Sequence, residues 1–184
     1  MTRPKRRPRW CLGSGNTCSR LPPNRVLVEE KRNMEFSGSA LFECESVDLW
    51  DRLTDMTFVS GLIPDVQRIN RIESTEFSCR VRPSLSFLKG SLDLTFKIVD
   101  AEKPQRLKVQ TTGKGMAVGV VVEAELNLTA VETGTKLVWT ASIVERKGLL
   151  KAVSAGLIQG AAQRVVDDFW SAVQEALGSE GGNA

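Results

Sequence analysis

The sequence predicts an α+β fold in which a seven-stranded antiparallel sheet wraps around a long C-terminal helix, with two short helices between strands 1 and 2. Three observations predict it. Apolar and polar residues alternate over about five strand-length segments between residues 77 and 143, two short helical patterns precede them, and apolar residues recur every three or four positions near the C-terminus. Because alternate side chains of a strand point to opposite faces, the sheet should have one apolar and one polar face.

The first strand is predicted over residues 35–44, where alternate positions are apolar or small. Ser46 is predicted to cap a helix that carries Trp50 on its apolar side. A second helical turn over 58–62 should end before Pro64, because the residue preceding a proline is pushed out of the helical region.

Six strands should follow, beginning with Val66–Ile72. Pro83 predicts a bulge or an edge in the third strand, since proline donates no ladder hydrogen bond. In the five alternating segments, the positions predicted to face inward are Phe77, Cys79, Val81, Leu85, Phe87, Leu92, Leu94, Phe96, Ile98, Leu107, Val109, Thr111, Val120, Val122, Ala124, Leu126, Leu128, Leu137, Trp139, Ala141 and Ile143. None is an acid, a base or a histidine, so the interior suits a hydrophobic guest better than catalysis.

The long helix is predicted from about Leu149 to Leu177, with Gly178 ending it. Its apolar stripe should lie on the apolar face of the sheet. The stripe consists of Leu150, Val153, Leu157, Ala161, Val165, Phe169, Val173 and Ala176.

The chain divides into a basic arm (1–33), one folded domain (34–177) and a flexible tail (178–184). The arm holds nine basic residues against two acidic ones, and its composition predicts disorder. A start of translation at Met34 is favoured over an arm that binds nucleic acid or anionic lipid. Without a signal peptide or a long apolar run, the protein is expected to be soluble and cytoplasmic.

Cys44 and Cys79 fall on apolar strand faces and are predicted to be buried free thiols. The chain has no histidine and no C-x-x-C spacing, so neither a metal nor a cofactor is expected.

A ligand is predicted to lie between the inner face of the sheet and the long helix. The residues predicted to line this cavity are Phe87, Phe96, Val109, Thr111, Met116, Val120, Val122, Trp139, Val153, Gly156, Leu157 and Gly160. Gly156 and Gly160 indicate either a void above the sheet or closer packing of helix on sheet, and Met116 either a lid or an ordinary hairpin loop. Trp139 is more typical of core than of a ligand-stacking surface.

The order of these elements and six short segments resemble the carbon monoxide dehydrogenase G-subunit family, within the START-like helix-grip (SRPBCC) superfamily. The segments are Met34–Gly38, Val47–Trp50, Leu62–Pro64, Leu88–Gly90, Gly113–Gly115 and Gly156–Ala162. Asp65 departs from the family, which usually has glycine there, and no membrane-associating extension follows Leu177.

The resemblance implies a non-enzymatic accessory protein that binds a quinone, lipid or aromatic molecule. In the family, the accessory protein accompanies a molybdenum hydroxylase and serves its maturation, its membrane attachment or quinone delivery. The resemblance thus implies a protein in peripheral contact with the inner face of the membrane. A nucleic-acid partner is disfavoured. The alternative is a polyketide cyclase or dehydratase of the same fold, for which only Asp65, Arg68 and Arg164 remain as acid or base candidates near the cavity ends, since histidine and tyrosine are absent.

Overall fold

The computed structural model describes residues 34–84, 90–115 and 117–180, with side chains as far as residue 178. Its elements in chain order are β1 (Met34–Phe42), α1 (Ser46–Thr54), α2 (Met56–Gly61), β2 (Val66–Ile72), β3 (Glu76–Val81), β4 (Leu92–Glu102), β5 (Arg106–Lys114), β6 (Val118–Val131), β7 (Gly134–Gly148), a 3-10 turn (Leu149–Lys151) and α3 (Ala155–Glu180). The predicted fold class is confirmed.

The strands form one antiparallel sheet in the order β1-β7-β6-β5-β4-β3-β2. Directly opposite residues share a face of the sheet. One such row across its centre runs through Phe77, Phe96, Thr111, Val122 and Ile143, all predicted to face inward. The rings of Phe77 and Phe96 stack with their centroids 5.2 Å apart. The register therefore produces the apolar inner face that the alternation predicts.

The outer face carries the charged residues. Arg80 lies opposite Asp93 and donates two hydrogen bonds to its carboxylate, of 2.8 and 2.9 Å. These hydrogen bonds lower the pKa of Asp93 below its usual value.

Two predictions about the N-terminal half are wrong in detail. Ser46 is the first residue of α1 and not its cap, which is Glu45 without a side-chain hydrogen bond. Strand β3 stops at Val81, before Pro83, because proline cannot extend the ladder.

Asp55 caps α2 by accepting hydrogen bonds from the backbone N–H groups of Thr57 and Phe58, at 2.8 and 3.3 Å.

The long helix begins later than predicted. The backbone N–H of Leu149 donates to the carbonyl of Ala117 at 2.9 Å, which ties the 3-10 turn to the loop between β5 and β6. The helix α3 starts six residues further on, at Ala155, and includes Gly178, which was predicted to end it.

Helix α3 lies along the edge strand β1. The side-chain amide of Gln159 donates to the carbonyl of Glu35 at 3.4 Å, and that of Gln174 to the carbonyl of Leu41 at 3.0 Å. Since both contacts ascend with the numbering of β1, the helix runs parallel to that strand.

The predicted apolar stripe of this helix is partly wrong. Leu157 and Val165 are 49% and 41% exposed, whereas Ile158, Trp170 and Val173 are buried. Ala162, Val166, Phe169 and Leu177 pack against the same core. The helix carries two adjacent stripes of apolar residues along its surface. Its position beside β1 determines which of the two stripes is buried.

We predict that Gly160→Ala stabilises the protein by about 1 kcal/mol, because glycine is entropically unfavourable inside a helix and a Cβ at this position meets nothing within 4 Å. Gly148→Ala is the contrasting control. Gly148 has φ +62°, and a Cβ there would overlap the carbonyl oxygen of Ala117, so we expect a loss of at least about 1 kcal/mol. Urea denaturation measures both, and an unstable Gly160→Ala variant would contradict the exposed placement.

Candidate functional site

The inner face of the sheet is only partly covered. Eight neighbouring residues on β4, β5 and β6 pack against the core or lie beside residues that do, yet each keeps part of its surface in contact with solvent. We call them the inner-face patch: Leu94, Phe96, Ile98, Thr111, Val118, Val120, Val122 and Ala124. Apart from the hydroxyl of Thr111, all of these side chains are hydrocarbon.

The uncovered surface continues to the edge strand β2. Ile69 and Ile72 pair with Cys79 and Phe77, which places them on the inner face. They are nevertheless 42% and 40% exposed. The inner face is therefore exposed at its β2 edge, whereas its β3 residues Phe77, Cys79 and Val81 are buried against Met56 and Val59 of α2.

Helix α3 forms one wall of this partly exposed region. At about 100° per residue, Val165 lies on the side of the helix turned away from Gln159 and Gln174, and thus away from β1. Phe169, one turn later, packs against the core on both sides of the patch. We call the space between this side of α3 and the inner-face patch the groove.

The cavity predicted between sheet and helix stays a prediction. Two surface pockets, of about 310 Å³ each, lie elsewhere on the described part of the chain. One is formed by β1 and β7 around Ser37 and Thr140. The other lies between α1 and the end of α3, around Asp48 and Leu177.

Several predicted ligand-binding residues come together on the inner face. Phe96, Thr111 and Val122 lie directly opposite one another on adjacent strands, and Val120 lies one pair further along β6. Val109 is on the same face but buried, and Val153 packs half-buried against the core. Phe87 and Met116 lie outside the described residues.

Trp139 belongs to the core. It is buried, makes an edge-to-face contact with Phe36 at 6.3 Å, and lies directly over Gly38, where a Cβ would come within 2.7 Å of its ring. The core interpretation of Trp139 is confirmed, and Trp50, on the apolar side of α1, is buried as well.

Gly156, Leu157 and Gly160 do not lie on the inner face. The two glycines are exposed and point away from Ala162 and Phe169, so a Cβ on either would meet nothing within 4 Å. Neither a void above the sheet nor close helix-to-sheet packing explains them. Small residues in a helix indicate that one side of it carries little side-chain volume. They do not show whether that side faces the sheet or the solvent.

Arg146 was missed by the sequence reasoning, because a β-bulge reverses the alternation of β7. Val121 pairs with Glu145 but Val122 pairs with Ile143, so Val144 is an extra residue. Beyond the bulge, Arg146 pairs with Val120 and shares its inner face. Strict alternation from Ile143 would have placed Arg146 outward, and no bulge signal such as glycine or proline occurs there.

The three acid or base candidates of the alternative enzyme do not converge. Asp65, Arg68 and Arg164 are all exposed, on the loop before β2, on β2 and on α3. Asp65 accepts a hydrogen bond from the backbone N–H of Ser84 at 3.1 Å, and Arg68 donates to Asn70 at 2.9 Å.

Cys44 and Cys79 are free thiols, and the predicted burial is confirmed for Cys79 but wrong for Cys44, which is only half-buried. Burial raises the pKa of both thiols. The negative charge of Asp48 raises the pKa of Cys44 further, and that of Asp93 raises the pKa of Cys79 further.

Among the described residues, no cluster of three or more carboxylate and thiol side chains could hold a metal ion. No helix in the same part of the chain is both long and apolar enough to cross a membrane.

Comparison with solved structures defines the fold. The chain is similar to a conserved protein from Geobacillus kaustophilus (TM-score 0.71, 22% identity, 79% of this chain and 95% of that one). It is also similar to a START superfamily protein from Mycobacterium smegmatis (0.58, 10%, 79% and 97%) and to Ara h 8.0201 (0.57, 13%, 80% and 99%). These similarities establish a START-like helix-grip fold.

The family follows from the sequence match. The model of the CoxG family, described as the G subunit of carbon monoxide dehydrogenase, matches residues 38–178. The chain belongs to this family, as the resemblance of its short segments predicts. No curated protein matches it significantly.

We predict that Cys79 is inert in the folded protein, because its side chain is 0% exposed and its raised pKa leaves little thiolate at neutral pH. In a variant that retains only Cys79, reaction with Ellman's reagent should be more than about tenfold slower in buffer than in urea. Because the pKa of Cys79 is higher in the folded than in the unfolded state, the unfolded chain loses the proton first as the pH rises. The stability of the folded protein should therefore fall as the pH rises from the unfolded pKa to the folded pKa. Equal rates in buffer and urea would contradict the burial.

Proposed function

We propose that this protein binds a hydrophobic small molecule in the groove without transforming it, and delivers it on behalf of a molybdenum-type carbon monoxide dehydrogenase. The observation that carries the proposal is the inner-face patch, where seven apolar side chains remain in contact with water inside an otherwise well-packed fold. Covering apolar surface is favourable by about 25 cal/mol per Å². Burial of a few hundred Å² of apolar surface on binding would therefore stabilise the complex by several kcal/mol.

The lining of the groove favours a ligand that is mostly hydrocarbon or aromatic, such as a quinone, a lipid or a related molecule. Phe96 presents a ring already held by its stack on Phe77. Thr111 supplies the one hydroxyl of the patch, which could orient a ligand carbonyl. This sparse polarity supports binding over proton-transfer chemistry, which needs a positioned acid or base.

The partial exposure of the patch supports a role in transfer. Its side chains keep contact with solvent and Val165 of α3 is exposed, so a hydrophobic molecule could enter or leave without separation of α3 from the sheet. We therefore propose peripheral contact with the inner face of the membrane, where such a molecule would be collected. Membership of the CoxG family supports the enzyme as the partner.

We predict that Val122→Trp blocks the groove, because the indole would occupy the centre of the inner-face patch. Titration with the neutral fluorophore N-phenyl-1-naphthylamine should show saturable binding to the wild type and at least about tenfold weaker binding to this variant. Val121→Trp is the matched control, since Val121 is the adjacent residue on the outer face.

Circular dichroism and thermal melting verify that both variants are folded. Absence of saturable binding by the wild type, or equal affinities for the two variants, would refute the proposed site. Mass spectrometry of lipid extracts from natively purified protein then identifies the molecule, and co-purified molybdenum hydroxylase subunits identify the partner.

A further inference from the structure

Arg146 lies on β7, beside the apolar inner-face patch. The row of paired residues that contains it runs Leu94, Gly113, Val120, Arg146. A Cβ on Gly113 would lie 3.2 Å from the Leu94 side chain and 3.0 Å from that of Val120, so these two side chains close over the glycine on the inner face. Arg146 continues this row beyond Val120, next to the inner-face patch.

The guanidinium of Arg146 has no anionic partner among the described residues. Its neighbour Glu145 points to the other face and forms an ion pair with Lys147 at 3.0 Å. Arg146 is nevertheless half-buried. Arginine commonly lays its aliphatic stem along apolar surface and keeps its guanidinium in water, where the guanidinium can bind an anion.

Arg146 lies two residues before the end of β7 and keeps part of its surface in contact with solvent. A molecule lying on the inner-face patch could therefore place a polar end beside Arg146 while that end remains accessible to water.

We infer that Arg146 binds the anionic headgroup of an amphiphile whose apolar chain lies along the inner-face patch. This inference rests on the proposed function and specifies its ligand. Arginine suits the role because its planar fork makes paired hydrogen bonds with carboxylate or phosphate oxygens. Along β6, the patch runs from Val120, beside Arg146, to Ala124, a span of roughly 13 Å.

The carboxylate and the phosphate are two sources of the same chemistry, and competition binding separates them. Palmitate, hexadecyl phosphate and the neutral hexadecanol are each titrated against bound N-phenyl-1-naphthylamine, below their aggregation concentrations. The proteins are the wild type, Arg146→Gln, Arg146→Lys and the control Lys147→Gln, whose side chain lies on the outer face. The anion that displaces the probe at the lower concentration identifies the headgroup class.

We predict that the wild type binds at least one of the two anions about tenfold or more tightly than hexadecanol. Arg146→Gln should abolish that preference, Arg146→Lys should retain part of it, and Lys147→Gln should retain all of it. Hexadecanol and the probe should bind all four proteins equally.

The outcomes distinguish the two proposals. If the probe binds and the anions show no preference over hexadecanol, or if Arg146→Gln and Lys147→Gln behave alike, the headgroup site is wrong and the groove stands. If the probe binds none of the proteins, the proposed function itself is wrong. Unchanged probe affinity in Arg146→Gln also shows that this variant is folded.

Discussion

The position of α3 beside β1 determines which part of the sheet is core and which part is open. Ile158, Trp170 and Val173 seal the inner face near β1 and β7, and two glutamine side chains bind the helix to the carbonyls of β1. A single helix is narrower than a seven-stranded sheet, so α3 near β1 and α2, which packs over β3, leave the inner face between them partly exposed. The apolar side chains there form the inner-face patch.

The register of the sheet is the second constraint. Small residues lie where large neighbours need room: Gly38 under Trp139, and Gly113 between Leu94 and Val120. These contacts resist slippage of the strands, since a shift by one residue would exchange the two faces. The rigid sheet thus presents the inner-face patch as a preformed surface, while the charged pairs on the outer face remain in water.

The bulge at Val144 shows how one residue changes the chemistry of an otherwise apolar face. It lets a single strand contribute Ile143 and, three residues later, Arg146 to the same side. The inner face consequently carries a cation, Arg146, beside its apolar patch. Such polarity would orient an elongated ligand, whereas a uniformly apolar surface would not.

The sequence by itself determined the strands, their inward residues and the family, because the two-residue period of a half-buried strand is strong and short-range. It could not determine where α3 begins, which of its two apolar stripes is buried, or that Gly156 and Gly160 face solvent. It also missed Arg146. Those features depend on contacts between segments distant in the chain, such as Leu149 with Ala117 and Gln174 with Leu41. Only the tertiary structure decided them, because a helix carries no local signal for the neighbour it will meet, and a bulge is defined by two strands together.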